Sequence, residues 1–540
     1  MNTGEPLKIG SLTIGPQDQS PLVLALAEII RRQAAEILEL RDEIHKLKGT
    51  TRRPTIKSSS LLKPRQPQAA EQQGRRPGSD KRQKTAVLPI HEELTLEIEG
   101  LPSGTRIQEY RDFVVQDLRI EAHNTRYRRT VYLLPDGSLR TASLPSSVAG
   151  HFGVRLRQYV LYQVHQNHVT QGRLLEELRE LGIDISAGQI SAILLDGQEA
   201  FHAEKDALLP MARQISGYLH CDDTSARHRG HNAVCTHIGN ELFASFHSTD
   251  SKSRLNFLQL LCLPEERYTW CEEAVQCLEW LGAGVKLQRR LESEPDSSWS
   301  GRASWETQLD RWGIAHADHR TVVSEAALFG TLLTESWYAE LGLISDDAPQ
   351  FKLFGFLHGL CWVHGERKIA RLIPLTERQR QAQESVQEEF WRLYDRLKTY
   401  RLAPTAAEKI AIAQAFHRMC RQKTGYPALN EALGLLGAKQ ESFLAVLEYP
   451  HLPLHNNLSE NDIREYARLR KISAGTRSDL GRRCRDTFLS LKKTCRKLGL
   501  RFWDYLGDRL AKTNLIPPLA EVMRNIAQAG TCPAAAPNTG

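Results

Sequence analysis

No stretch of the chain approaches the ~18–20 consecutive apolar residues that a membrane-spanning helix requires. The N-terminal region also lacks the charged start, apolar run and cleavage site of a secretory leader. Both absences point to a cytoplasmic protein. Cysteine is sparse as well, at ten in 540 residues without dense or regular spacing. That excludes a disulfide-stapled scaffold and fits reduced thiols. What is present is 41% hydrophobic and 25% charged residues, enough apolar mass for buried cores, in a chain longer than one ordinary domain. The net charge of +7 is weak if spread evenly, so its placement matters more than its size.

Positive charge collects in two places. Residues 49–85 are rich in Pro, Gln, Ser and Gly and hold ten basic residues against Glu71 and Asp80. This composition cannot bury a core and reads as a linker, either simply solvated or able to track phosphates. Residues 464–501 hold thirteen Lys or Arg against Glu465, Asp479 and Asp486.

Ahead of the linker, Leu26, Ile30, Gln33, Ile37, Leu40, Ile44 and Leu47 follow one another at alternating steps of four and three. That is a heptad seam, which predicts a two-stranded coiled coil or, more simply, an amphipathic helix packed on its own chain. Beyond the linker, alternation such as FVVQDL and the Pro135-Asp136-Gly137 turn signal predict a small β-rich module over 91–146. Helical periodicity follows over 147–210, where three short segments, the last capped by Ser186, suggest a helix-turn-helix. There Gln189 and Ser191 would face a DNA groove, although such triplets also serve as packing units.

The segment GYLHCDDTSARHRGHNAVCTHIGNELFASFHST predicts a strand ending in acids (Tyr218 to Asp222), then an antiparallel hairpin turning at Gly239-Asn240. An RNase H-like sheet begins in this way. A second short apolar strand ends in acids at GLISDD, and FKLFGFLHGLCWVHGERKIARLI reads as one long helical region. Later, HNNLSENDIREYARLRKISAG places Asn456 and Asn457 at a helix start with Glu460 in its first turn. Three carboxylates from separate elements can hold two Mg²⁺ (or Mn²⁺) ions while leaving sites for phosphate and water.

Together CDDT, ISDD, CWVHGER and the HNNLSEN signature resemble the IS66-type insertion-sequence transposases. The resemblance implies an α/β RNase H-like catalytic core with a helical insertion, preceded by a coiled-coil helix, a β-rich module and a helix-turn-helix-like module. It assigns Asp222, Asp346 and Glu460 as the catalytic, metal-binding triad, with Asp223, Asp347, Asn457, Cys361 and His364 as auxiliary residues. It further implies cutting of double-stranded DNA at element ends and joining of the 3′-hydroxyl to target DNA, action as a homodimer or higher oligomer, small accessory proteins, and a nucleoid-associated location. The rivals are a DNA-binding derivative with an inactive core and a nuclease that hydrolyses without joining.

The expected division is a flexible start (1–20), the coiled-coil helix (21–48), the basic linker (49–90), the β-rich module (91–146), the helix-turn-helix-like module (147–210), the first part of the core (211–365), the helical insertion (366–450), the final core helices (451–511) and a tail (512–540). This sequence departs from the family in having no cysteine before Cys221, so the β-rich module must fold without the zinc module often found there. The block 263–326 has no assigned role. Downstream of Glu460, Arg464, Arg468 and Lys471 share the glutamate's helix face and, with Arg470 and Arg477, would grip DNA phosphates. His358, Cys361 and His364 recur every three residues on the expected helix and could bind zinc if a fourth group reached them; packing is the plainer reading. Trp362 reads as core.

Overall fold

The computed structural model describes residues 7–9, 12–47 and 89–530, except 101, 103, 146, 147 and 149. The basic stretch 49–85 lies outside the described residues. Helix α1 (Pro21–Leu47) is continuous. Its buried stripe, Ala27 and Arg31, faces the body of the protein, where Arg31 lies over the Tyr426 ring at 5.7 Å. The seam residues Leu26, Ile30 and Ile37 are exposed.

Among the described residues the expected β-rich module is reduced to one hairpin. Over residues 89–145 the only described strands are Val131–Leu133 and Leu139–Thr141, a hairpin turning through Pro135-Asp136-Gly137. The alternation in FVVQDL had suggested strands, but a period of two yields a strand only where a second strand accepts its hydrogen bonds. Among the described residues none pairs with this segment, and Phe113 and Leu96 are left about 90% exposed.

Helices α2 (Val154–His165), α3 (Gln171–Glu180) and α4 (Ala187–Leu195) follow. Ser186 caps α4 in a reciprocal box with Gln189. Next comes a five-stranded sheet made of β1 (Tyr218–His228), β2 (His231–Gly239), β3 (Ala244–Thr249), β4 (Gly342–Ser345) and β5 (Leu357–Leu360). The spatial order is β5-β4-β1-β2-β3, with β1 to β3 antiparallel and β4 and β5 parallel to β1.

Two expectations change here. β1 does not end at Asp222 but runs six residues further, to His228, because β2 pairs with it from His220 to His228. And the FKLFGFLHGLC region is not one helix. Leu357–Leu360 forms a parallel edge strand against β4, and the helix begins only at Trp362. A four-residue apolar strand has no periodicity of its own to distinguish it from helix.

Between β3 and β4 the unassigned block forms helices around a two-stranded ribbon, Arg267–Trp270 with Ser297–Ser300, where Tyr268 stacks on Trp305 at 4.9 Å. After β5 come α5 (Trp362–Ala370) and the helical unit of α6 (Glu377–Leu402), α7 (Ala406–Cys420) and α8 (Pro427–Gly437). Trp362 is fully buried at the base of this unit, and its indole N–H donates to the Phe443 carbonyl at 2.8 Å.

Helix α9 (Asn457–Ser473) then lies on β1, and α10 (Asp479–Lys497) lies along β3. In the loop between them Thr476 N–H donates to Arg227 O at 2.9 Å, and a Cβ on Gly475 would sit 2.4 Å from that same carbonyl. Only glycine allows this approach. Within the expected tail Leu519–Gln528 is a helix that buries Leu519 and Met523. Among the described residues no helix is long and apolar enough to cross a membrane.

Candidate active site at the end of the central sheet

The β1–β4 ladder pairs Ile344 with His220. Continued by two residues, that register sets Asp346 beside Asp222, because parallel neighbours advance in step. The third acid comes from α9. Asn456 precedes its first turn, and the Glu460 backbone N–H donates to the Asn456 carbonyl at 3.1 Å. The Asn456 side chain, completely buried, fixes where that turn begins. Its Nδ2 donates to the Cys221 carbonyl at 2.7 Å, and its Oδ1 accepts from His220 Nδ1 at 2.9 Å. Its backbone N–H donates to Cys361 Sγ at 3.2 Å. One asparagine thus ties α9, β1 and the start of α5 together one residue away from Asp222. The sequence had pointed to Asn457, which is exposed; the buried role falls to its neighbour.

The carboxyl of Asp222 is pushed up to about 8, first by burial and then by the charge of Asp346, with Asp223 and Glu460 adding to it. Like charges close together cannot all ionise without a counter-ion. Asp222 accepts one hydrogen bond, from the Asp223 N–H at 2.8 Å. Asp346 accepts from Ala348 N–H at 3.0 Å. Glu460 Oε1 is shielded from water yet has no hydrogen-bond partner among the described residues. Around Glu460 stand His364 Nδ1 at 3.8 Å, Arg367 at 3.7 Å and Arg464 at 3.6 Å.

The neighbouring acids are otherwise engaged. Asp223 points to the opposite face of the strand, where it accepts from Thr236 Oγ1 and Gln350 Nε2, both at 2.6 Å. Asp347 is paired with Lys368 at 2.7 Å and with Lys439. Burial opposes its ionisation, but these two lysines hold it below the usual carboxylate range.

The other site candidates divide by surroundings. Arg464, Arg468 and Lys471 are exposed along the Glu460 face of α9, and Arg477 is exposed beyond its end. Arg470 is turned inward instead, donating to the backbone and hydroxyl oxygens of Ser225 on β1. Much of the downstream basic run is likewise internal. Lys493 pairs with Asp462 at 3.4 Å and with Glu465 at 2.5 Å, Lys497 pairs with Asp462 at 2.8 Å, and Lys492 pairs with Glu465. Burial works against ionisation of Asp462, but Lys497 and His237 keep it far below the usual carboxylate range. His237 adds a contact to Ser459 Oγ at 2.6 Å, so these groups fasten α9 and α10 to the sheet. Gln189 spends its side-chain oxygen on the Ser186 cap, and Ser191 is half-buried. His358 lies on β5, where it bonds Ser345 Oγ at 2.8 Å, and so does not share a helical face with Cys361 and His364.

The raised carboxyl gives a testable pH dependence. A group whose folded pKa lies above its unfolded value of about 3.9 stabilises most below that value, and the contribution is lost as pH rises through about 8. Metal-free protein should therefore lose stability between about pH 4 and pH 8. The upper bound is about 6 kcal/mol from this one group at ~1.4 kcal/mol per unit, less local relaxation. Chemical denaturation at pH 6 and pH 9 should show a smaller drop for D222N than for the native chain. An equal drop in both would mean that Asp222 is not the strained acid.

Residues 343–483, which contain Asp346 and Glu460, match the family model described as Transposase IS66 family. Over 309 residues the chain is 39% identical to the uncharacterized protein y4jO of Sinorhizobium fredii (strain NBRC 101917 / NGR234), a match covering 57% of this chain and 96% of that protein. With Asp346 and Glu460 both inside the matched region and Asp222 beside them in the fold, the chain belongs to the IS66 transposase family.

Proposed function

We propose that the protein cuts DNA at insertion-sequence ends and joins the freed 3′-hydroxyl to target DNA, using Asp222, Asp346 and Glu460 in an RNase H-like core. The observation that carries this reading is the convergence of three carboxylates from separate elements: the β1–β4 register sets Asp346 beside Asp222, and α9 brings Glu460 in its first turn, so that burial, the Asp346 charge and, more weakly, Glu460 all raise the Asp222 carboxyl. A fold does not keep such a like-charge cluster for stability, whereas a divalent cation relieves it. The residues fit Mg²⁺ or Mn²⁺: the donors are hard oxygens, and Glu460 Oε1 has no hydrogen-bond partner among the described residues. When bound, the ions supply Lewis-acid activation of a water or 3′-hydroxyl and neutralise charge on the leaving oxygen. The antiparallel triplet β1–β3, with the acid-bearing strand at its inner edge, supports the RNase H-like reading.

The chain's own groups then hold the substrate. Arg464, Arg468 and Lys471 line the exposed face that leads away from Glu460, where they would position phosphates without reading sequence. Replacing all three by alanine should reduce the slope of log affinity against log salt by about 2–3. An unchanged slope in filter binding or anisotropy would remove that face from the DNA path. In this reading the exposed seam of α1 pairs with a second copy, and the α2–α4 helices contribute contacts to element ends. The protein would act in the cytoplasm, associated with the nucleoid and with small accessory proteins.

The deciding assay uses end-containing duplex DNA and separate pre-cleaved 3′ ends. Mg²⁺-dependent nicking together with strand transfer is expected. Binding without nicking would favour a DNA-binding derivative, and nicking without joining would favour a hydrolytic nuclease.

A further inference from the structure

Cys361 Sγ, a ring nitrogen of His364 and a carboxylate oxygen of Glu460 lie within 4.8 Å of one another. His364 Nδ1 and Glu460 Oε1 are both shielded from water, and neither has a hydrogen-bond partner among the described residues. They stand 3.8 Å apart, too far for a hydrogen bond. That gap is close to the roughly 3.3–3.7 Å edge of a tetrahedron built on metal–ligand bonds of about 2.0–2.3 Å. Cys361 precedes α5, and its sulfur accepts the Asn456 N–H at 3.2 Å, a contact that supports a thiolate. The sequence offers His358, Cys361 and His364; the fold places His358 on β5 against Ser345 and brings Glu460 in from α9 instead, about a hundred residues away.

We propose that Cys361, His364 and Glu460 form a three-ligand site for a thiophilic divalent ion of the zinc class, with its fourth position open to water. Sulfur, nitrogen and oxygen together select such an ion over Mg²⁺, which takes oxygen donors. Because Glu460 is common to both sites, zinc occupancy withdraws the third acid from the catalytic pair and switches cleavage off. That consequence rests on the function proposed above; the binding site itself does not.

Binding has a stated cost. Arg367 Nη1 donates to His364 Nε2 at 3.1 Å, which leaves the ring proton on Nδ1. Ligation through Nδ1 moves that proton to Nε2 and sends the Arg367 side chain, 43% exposed, out to solvent. The Cys361 thiol proton also leaves, so one proton is released overall.

The test uses the full-length protein and Co²⁺ as a spectroscopic stand-in for zinc. One equivalent should produce a near-ultraviolet thiolate-to-cobalt charge-transfer band that Zn²⁺ abolishes by displacement. C361S should lose the band, and H364N should bind Co²⁺ more than about tenfold more weakly. R367A should bind about fivefold more tightly, because a cation and a tautomer lock are removed. D222N should keep the band unchanged. The proposal is overturned if the native chain shows no band, if the band survives in C361S, or if D222N eliminates it. Micromolar Zn²⁺ should also inhibit Mg²⁺-dependent cleavage by the native chain more strongly than by C361S. If the protein proves to cleave no DNA at all, the spectra still decide the binding site.

Discussion

Replacing Glu460 by glutamine is expected to lower Mg²⁺-dependent strand cleavage by at least about 10³-fold, equivalent to about 4 kcal/mol of transition-state stabilisation. The amide keeps the size of the side chain and its place in the first turn of α9. It removes the negative charge, and with it the strongest oxygen ligand that this helix offers to a divalent ion. DNA binding should change by less than about threefold, since Arg464 and its exposed neighbours remain and a repulsive charge near the phosphates is gone.

The informative comparison is with Asp347, one residue after the proposed second acid. Lys368 and Lys439 already neutralise it, so D347N should cost stability through two orphaned lysines yet leave cleavage within about tenfold of the native chain. D346N should behave like E460Q. Single-turnover cleavage of labelled end DNA measures all three. If E460Q retains native rates, or if D347N and D346N fall equally, the assignment of the triad fails.

How far the site could be read from the chain depended on what each residue's role requires. The place of Glu460 in the first turn of a helix was legible because Asn456 and Asn457 mark that helix's start in HNNLSEN, while its role as third acid is what the family resemblance implies. Asp222 and Asp223 are indistinguishable as adjacent letters. The choice between them is made by strand alternation and by Thr236 and Gln350, which occupy both oxygens of Asp223 from other parts of the chain. Strand β5 was missed because LHGL has no period of its own and becomes a strand only beside β4. That error also put His358 on the wrong element. The basic run after Glu460 was overread for a different reason. Sequence shows the charge of Lys492, Lys493 and Lys497 but not Asp462 and Glu465 facing them across the α9–α10 contact.

Asn456→Ala is expected to be nearly as damaging as loss of a ligand, although Asn456 offers no charge to a metal. Truncation takes the Asn456 partner from the buried Cys221 carbonyl and His220 Nδ1–H, at about 1–3 kcal/mol for each group, so a total of about 2–6 kcal/mol is expected in denaturant unfolding. Cleavage should fall by about 10²-fold or more, because the anchor that fixes the start of α9 relative to β1 is gone and Glu460 is no longer held in register with Asp222. Asn456→Asp sharpens the argument. It keeps the shape but cannot donate to the Cys221 carbonyl, and its charge would stand beside a cluster that already carries too much negative charge. It should be at least as defective as the alanine variant and should recover partially at lower pH, where the new carboxyl can protonate and donate. A variant whose only fault is unfolding regains cleavage on cooling, whereas one that has lost the register stays slow when fully folded. Native cleavage by folded N456A would show that the three acids find their places without this clamp.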